Sequence, residues 1–313
     1  MKSIWKSGIM GVVTGDALGC PVQFKSREQV ARQPITGMRG YGTFNLPAGS
    51  WTDDSSLTLA LLDSIRRTGG IDCADIMDNF VKWLDDGAFT PYGYAYDIGR
   101  TTMSAINAYK RHHRPDKSGD TNDRSIGNGS LMRIMPAALY CIEKALPADG
   151  AVDIIHRVGR LTHAHIRANI ACGLYYFMTK AVLSGGGALT DRLQAGLDEG
   201  FAFYKARLYD HDDLEFYDRL CDLKVFAALP ADKIHSGGYV VHTLEAAVWS
   251  LANADSFEAA LLKAVNLGED TDTVGAVAGG LAGLYYGYDG IPEDWLHALK
   301  MRDWIENMCD VAM

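Results

Sequence analysis

The 313-residue sequence has no CxxC pair, no Pro/Ser-rich linker, no low-complexity tract and almost no alternating strand-like run. It also lacks an excess of basic charge: 30 Lys and Arg stand against 39 Asp and Glu, a formal net charge of −9. Each absence excludes something. Six scattered cysteines (20, 73, 141, 172, 221 and 309) argue for a reduced, cytoplasmic protein with incidental thiols rather than a disulfide scaffold. No His or Cys cluster has zinc spacing. The acidic balance argues against general nucleic-acid binding, which usually shows a basic patch. It leaves room for a small anionic ligand, because bound cations invert a local field. The glycine-rich stretch VGAVAGGLAGLYYG at 274–287 falls short of the ~20 apolar residues of a membrane span. The N-terminal MKSIWKSGIMGVVTGDALGC has early lysines, but its apolar segment is short and Asp16 interrupts it, so export is not expected. With 48% hydrophobic residues and no linker or clear repeat, residues 1–313 read as one domain with a large core, expected to be monomeric.

What is present is helical periodicity. It predicts helices over 3–19, 55–68, 72–85, 96–111, 129–146, 150–161, 166–184, 189–206, 242–253, 256–267 and 272–286, with long loops at 86–100 and 112–126. The best strand candidate, GYVVHTL at 238–244, can equally lead into a helix. An all-α fold follows. Two glycine rows at four-residue spacing stand out: Gly11, Gly15, Gly19, and Gly275, Gly279, Gly283, Gly287. Each interior helical glycine costs about 1 kcal/mol relative to alanine, and glycines four apart share one face, where another backbone can come close. Either the two helices pack on each other at the centre, or each packs on other helices through its small residues.

The stretch SWTDDSSLT at 50–58 places five hard oxygen side chains directly before an apolar helix. One Ser, Thr or Asp would suffice as N-cap, and the helix dipole favours one carboxylate by about 0.3–1 kcal/mol. A second cluster, Asp270, Asp272 and Thr273, opens the glycine-rich helix. Taken singly, each reads as a cap plus a solvated acid. Together, two clusters at the starts of buried-looking helices would hold like charges close, and no Lys or Arg run supplies the compensation. Two divalent cations would, and carboxylate with hydroxyl oxygens suits Mg²⁺ or Mn²⁺.

Six motifs in order then carry a resemblance over nearly the whole chain: GVVTGDALGCPVQF, PAGSWTDDSSLTLALLDS, SIGNGSLMRIMPAAL, LTHAH, GGYVVHTLEAAVWSL and AVNLGEDTDTVGAVAGGLAGLYYG. In these the chain resembles the ADP-ribosylglycohydrolase family. The resemblance implies a compact orthogonal helical bundle with a binuclear Mg²⁺ or Mn²⁺ site in a central ADP-ribose cleft. It makes Thr52, Asp53, Asp54, Asp270, Asp272 and Thr273 the metal ligands. It makes Asn128, Gly129 and Ser130 ligand contacts, in a loop turning into a helix whose free N–H groups would suit the diphosphate. Arg133 is a further contact or a structural ion-pair partner. His163 would approach the distal ribose or a phosphate, His165 less so, and Asp16 would pack helices or support the site.

The implied reaction is hydrolysis at the anomeric carbon of an ADP-ribose attached to a protein side chain or small group, with positive charge building on the ribose. Asp272, or else Asp54, would orient or deprotonate the attacking water. Gln23 is a departure, because relatives often carry glutamate there; glutamine donates hydrogen bonds but accepts no proton. Glu28 or Glu269 could replace that acid, or an arginine leaving group could need it less. ADP-ribosyl-arginine is therefore the favoured substrate. The alternatives are a free ADP-ribose conjugate, another small N-glycoside, or ADP-ribose binding without turnover.

Overall fold

The computed structural model describes residues 2–207 and 211–310. Among them the chain forms α-helices and short 3₁₀ turns, with two isolated β-bridges and no strand. In chain order the helices are α1 (Lys2–Gly19), α2 (Arg27–Arg32), α3 (Asp53–Thr68), α4 (Cys73–Asp86), α5 (Arg100–His112), α6 (Met135–Glu143), α7 (Ala148–Gly159) and α8 (Ile166–Ser184). They continue as α9 (Leu189–Ala206), α10 (His211–Glu215), α11 (Leu223–Ala227), α12 (Val240–Ala252), α13 (Phe257–Val265), α14 (Thr271–Tyr286), α15 (Glu293–Ala298) and α16 (Arg302–Cys309). No helix among the described residues is long and apolar enough to cross a membrane.

The all-helical expectation holds, and α8 and α9 match their predicted bounds. The predicted helix 129–146 does not. Residues 128–134 fold into successive turns, with Met132 N–H on Asn128 O (3.1 Å) and Ile134 N–H on Leu131 O (3.3 Å). Helix α6 starts only at Met135, with Pro136 in its first turn, because proline has no N–H for an upstream partner. The strand candidate reduces to one bridge between Gly127 and Tyr239, after which the helical pattern of α12 takes over at Val240. Short α2, α10, α11, α15 and α16 escaped the periodicity, since windows of five to eight residues hold too few repeats to show a face.

The glycine rows pack on each other. Helices α1 and α14 run antiparallel with backbones touching: a Cβ on Gly15 would stand 1.9 Å from Gly275 O, and one on Gly11 2.2 Å from Gly279 O. At the end of the seam Thr271 Oγ1 donates to Gly19 O (2.8 Å), so the C-terminal end of α1 meets the N-terminal end of α14. Residues 271–283 of α14 are all buried, enclosed by α8, α12 and α13. Because oxygen and Cβ cannot share that space, Gly15→Ala should destabilise the protein by about 3 kcal/mol in urea unfolding. Gly150→Ala, in α7 with nothing within 4 Å, should instead add about 0.5 kcal/mol. Equal effects from the two would contradict the seam.

Candidate active site

Helix α3 begins at Asp53, yet its N-cap Thr52 makes no side-chain capping bond. No Ser or Asp of the stretch caps it either; the cap arrives from α1. Asp16 accepts Thr52 N–H through both oxygens (3.0 Å each), Ser55 N–H (2.9 Å) and Ser55 Oγ–H (2.5 Å). Asp16 is fully buried. Burial pushes its pKa up to about 6, against the opposing hydrogen bonds from Ser55 and Thr52. The supporting role expected of Asp16 is thus a cap supplied by a neighbouring helix, and it leaves Asp53 and Asp54 with no capping work.

The two acidic clusters converge. Thr52 Oγ1 lies 3.0 Å from Asp16 Oδ1, 3.3 Å from Asp54 Oδ2 and 3.3 Å from Asp272 Oδ2. Thr273 Oγ1 lies 3.5 Å from Asp54 Oδ2 and 3.4 Å from Asp270 Oδ1. A hydroxyl has one proton to donate, so these two cannot satisfy five carboxylate contacts. Asp54 Oδ1 is buried with no partner among the described residues. Burial first, and then the neighbouring carboxylates, push Asp53, Asp54 and Asp272 well above the ordinary carboxylate range. Burial raises Asp270 too, against the hydrogen bond from Asn128 Nδ2 to its Oδ2 (2.6 Å).

The donor set is therefore hard oxygen throughout, short of protons and of positive side chains, and it fits Mg²⁺ or Mn²⁺. Among the described residues no three acidic, His or Cys groups already close into a cage.

One acid was missed. Asp97, in the loop before α5, joins the cluster: burial raises its pKa, and its charge acts on Asp53 and Asp272. Its backbone is left-handed (φ 55°), and its Oδ2 is buried without a partner among the described residues. A single Asp in an aperiodic loop, two residues before Gly99, reads locally as a turn; only the fold carries it to the floor. The Gln23 amide lies against Asp97 and Asp270 and favours their ionised forms. Its loop is tied to the second cluster by two backbone bonds, Phe24 N–H to Glu269 O and Glu269 N–H to Lys25 O, both 2.7 Å.

Above this floor opens a cavity of about 340 Å³ whose walls include Gln23, Asp53, Asp97, Asn128, Gly129, His163, Asp270 and Thr273. Arg100 and Arg124 border it as well, so positive charge faces an acidic floor. A larger groove, about 670 Å³ between Cys73 and Arg160, contains none of the clustered acids. At the mouth Phe24 is 66% exposed in a left-handed conformation and begins an aromatic ladder through Phe44 and Tyr96 to Tyr94.

Other expected residues fall differently. Ser130 is fully buried, its Oγ facing Cys172 Sγ (3.6 Å), and it does not line the cavity. Because α6 starts later than expected, Asn128 and Gly129 present turn rather than helix N-terminal backbone. Among the described residues Arg133 has no ion-pair partner; it donates to Val158 O (3.2 Å) and Thr162 Oγ1 (2.9 Å). His165 caps α8, accepting Arg167 N–H. Glu28 and Glu269 both lie outside the cavity wall.

The site is an acid-floored polar cavity gathered at helix ends inside an all-helical shell. The chain belongs to the ADP-ribosylglycohydrolase family, whose sequence profile matches residues 5–313. It is 30% identical over 305 residues to the ADP-ribosylarginine hydrolase Tri1 of Serratia proteamaculans, spanning 97% of this chain and 77% of that one. It is 31% identical over 295 residues to the ADP-ribosyl-[dinitrogen reductase] glycohydrolase of Rhodospirillum rubrum, spanning 94% and 89%. A solved ADP-ribosylglycohydrolase-related protein complex superposes with a TM-score of 0.79 at 31% identity, covering 98% of this chain and 96% of that one.

The floor makes a pH prediction of unusual sign. Between the ordinary carboxylate value of 3.8 and the raised value of about 6 for Asp16, the folded state binds more protons than the unfolded state. On that account stability falls as pH rises, whereas the buried His156 and His163, pushed down to about 4 and about 3, act in the opposite sense below 6.5. Millimolar Mg²⁺ or Mn²⁺ should raise Tm more at pH 7, where the floor is short of protons, than at pH 5. Equal shifts at the two pH values, or none at either, would contradict the charge crowding.

Proposed function

We propose that the protein hydrolyses the glycosidic bond between ADP-ribose and a protein side chain, with ADP-ribosyl-arginine the preferred substrate, and that it does so with two Mg²⁺ or Mn²⁺ ions. The observation that carries this is the floor itself, where two hydroxyl protons face five carboxylate contacts at the base of an arginine-bordered cavity. Thr52, Asp53, Asp54, Asp270, Asp272 and Thr273 would hold the ions. When bound, such ions neutralise the floor, orient hydroxyl groups and acidify water.

The chain's own residues have distinct tasks. Asp272, or else Asp54, orients the attacking water, each reaching it from a helix start that backbone packing and the Asp16 cap keep in place. Asn128 donates to Asp270 and to Thr243 Oγ1 (2.9 Å), which fixes the amide at the cavity wall. Gln23 cannot take or give a proton in its neutral amide, but the Asp97 carboxyl beside it can, and burial raises its pKa. The preference for arginine rests on two supports. A departing guanidine, unlike a serine alkoxide, makes little demand on a general acid. Relatives named as ADP-ribosylarginine hydrolases span nearly the whole chain.

The test is release of ADP-ribose from arginine-linked and serine-linked substrates with and without chelator. Chelation, Asp53→Asn and Asp272→Asn should each lower release at least about a hundredfold. Asp97→Asn should lower kcat by about a hundredfold, whereas Gln23→Ala should change it less than about tenfold. Metal-loaded protein that binds ADP-ribose yet cleaves no conjugate would refute hydrolysis.

A further inference from the structure

His163 forms part of the cavity wall and is only 3% exposed. Its position is rigid. The backbone N–H donates to Gly159 O (3.1 Å), and the ring lies so close to Gly129 that a Cβ there would stand 2.7 Å from Cε1. The Nε2 edge faces the turn at Gly127, where an added Cβ would lie 3.5 Å away. On the other edge, Nδ1 is 2.8 Å from Thr162 Oγ1, and that oxygen is 2.9 Å from Nη2 of Arg133.

Donor counting gives this chain of three groups a direction. A guanidinium only donates, so Thr162 Oγ1 must accept from Arg133. The single hydroxyl proton of Thr162 is then free to point at Nδ1, which accepts it. Were Nδ1 protonated, the Thr162 oxygen would face two donors and its own proton would have no acceptor among these groups. The pairing that leaves no proton without an acceptor among these groups puts the imidazole hydrogen on Nε2. Neutrality fits the surroundings, since burial first and the Arg133 charge second push the His163 pKa down to about 3.

Arg133 adds a second constraint. It is fully buried, stacks over Phe80 (4.8 Å to the centroid), and its Nε and Nη1 have no partner among the described residues. With no carboxylate of the described residues paired to it, its charge remains unneutralised behind the imidazole and favours an anionic oxygen in front of it.

We infer that Thr162 and Arg133 are positioning residues that hold His163 as a fixed Nε2–H donor to an anionic phosphate oxygen of the bound ligand. The identity of that ligand rests on the proposed function; the direction of the relay does not. Arginine serves better than lysine here because its planar fork donates in a set direction and keeps its charge when buried.

Nitrogen-15 labelling of the histidines, with the His163 signals assigned by their loss in His163→Gln, reads the tautomer directly. The wild type should show the Nε2–H pattern. Thr162→Val should shift His163 toward the Nδ1–H form and weaken ADP-ribose binding in calorimetry by about tenfold. Thr162→Ser should restore both. An Nδ1–H pattern in the wild type overturns the relay, as does a folded Thr162→Val that keeps the tautomer or binds ADP-ribose as tightly as the wild type. Should Thr162→Val fail to fold, the wild-type tautomer still decides. If the wild type binds no ADP-ribose, the proposed function fails, and the tautomer alone then upholds or overturns the relay.

Discussion

The antiparallel backbone contact between α1 and α14 is the constraint on which the rest of the structure depends. With Gly15 against Gly275 and Gly11 against Gly279, the two helices can slide or turn only by driving carbonyl oxygens into Cα atoms. Their register therefore sets where the end of one helix meets the start of the other. Asp16 is one residue from the contact at Gly15, and Asp272 is three residues from the contact at Gly275. A seam without side chains thus places two acids that are far apart in sequence. Asp16 then extends the placement to a third helix by capping α3, which brings Asp53 and Asp54 to the same point.

This arrangement sets local stability against the chemistry of the site. Burying carboxylates that lack partners is costly, and here the acids raise one another's pKa. A protein selected only for stability would place apolar residues or arginines at these helix starts. The glycine seam and the extensive core around α14 supply the rigidity that keeps the acids from moving apart. Such a conflict between local preference and the global fold is expected where a ligand, rather than the protein, completes the interactions.

Much of this was legible along the chain because it is local. Helical periodicity, the glycine spacing and the excess of oxygen donors at two helix starts each occupy a short window, and the six motifs in order pointed to the family. What escaped is non-local or depends on a single residue. The sequence around Thr52 offers several potential caps, and nothing nearby shows that Asp16, from another helix, fills the role. Asp97 has no motif, and its left-handed backbone and contact with Gln23 exist only in three dimensions. The late start of α6 depends on Pro136 outweighing a periodic pattern that runs on either side of it. Ser130 was grouped with its neighbours because they are adjacent, yet the turns send Asn128 and Ser130 to opposite sides.

The departure at Gln23 changes meaning once Asp97 is in place. A glutamate there would add a further carboxylate beside Asp97 and Asp270, in a site already short of positive charge. An amide instead lies against both and favours their ionised forms, opposing the rise that burial imposes. Gln23 then relieves the crowding rather than marking a missing acid, and the acid nearest to it is Asp97. That carboxyl sits on a loop residue with a left-handed backbone, and the neighbouring amide of Gln23 favours its ionised form against burial.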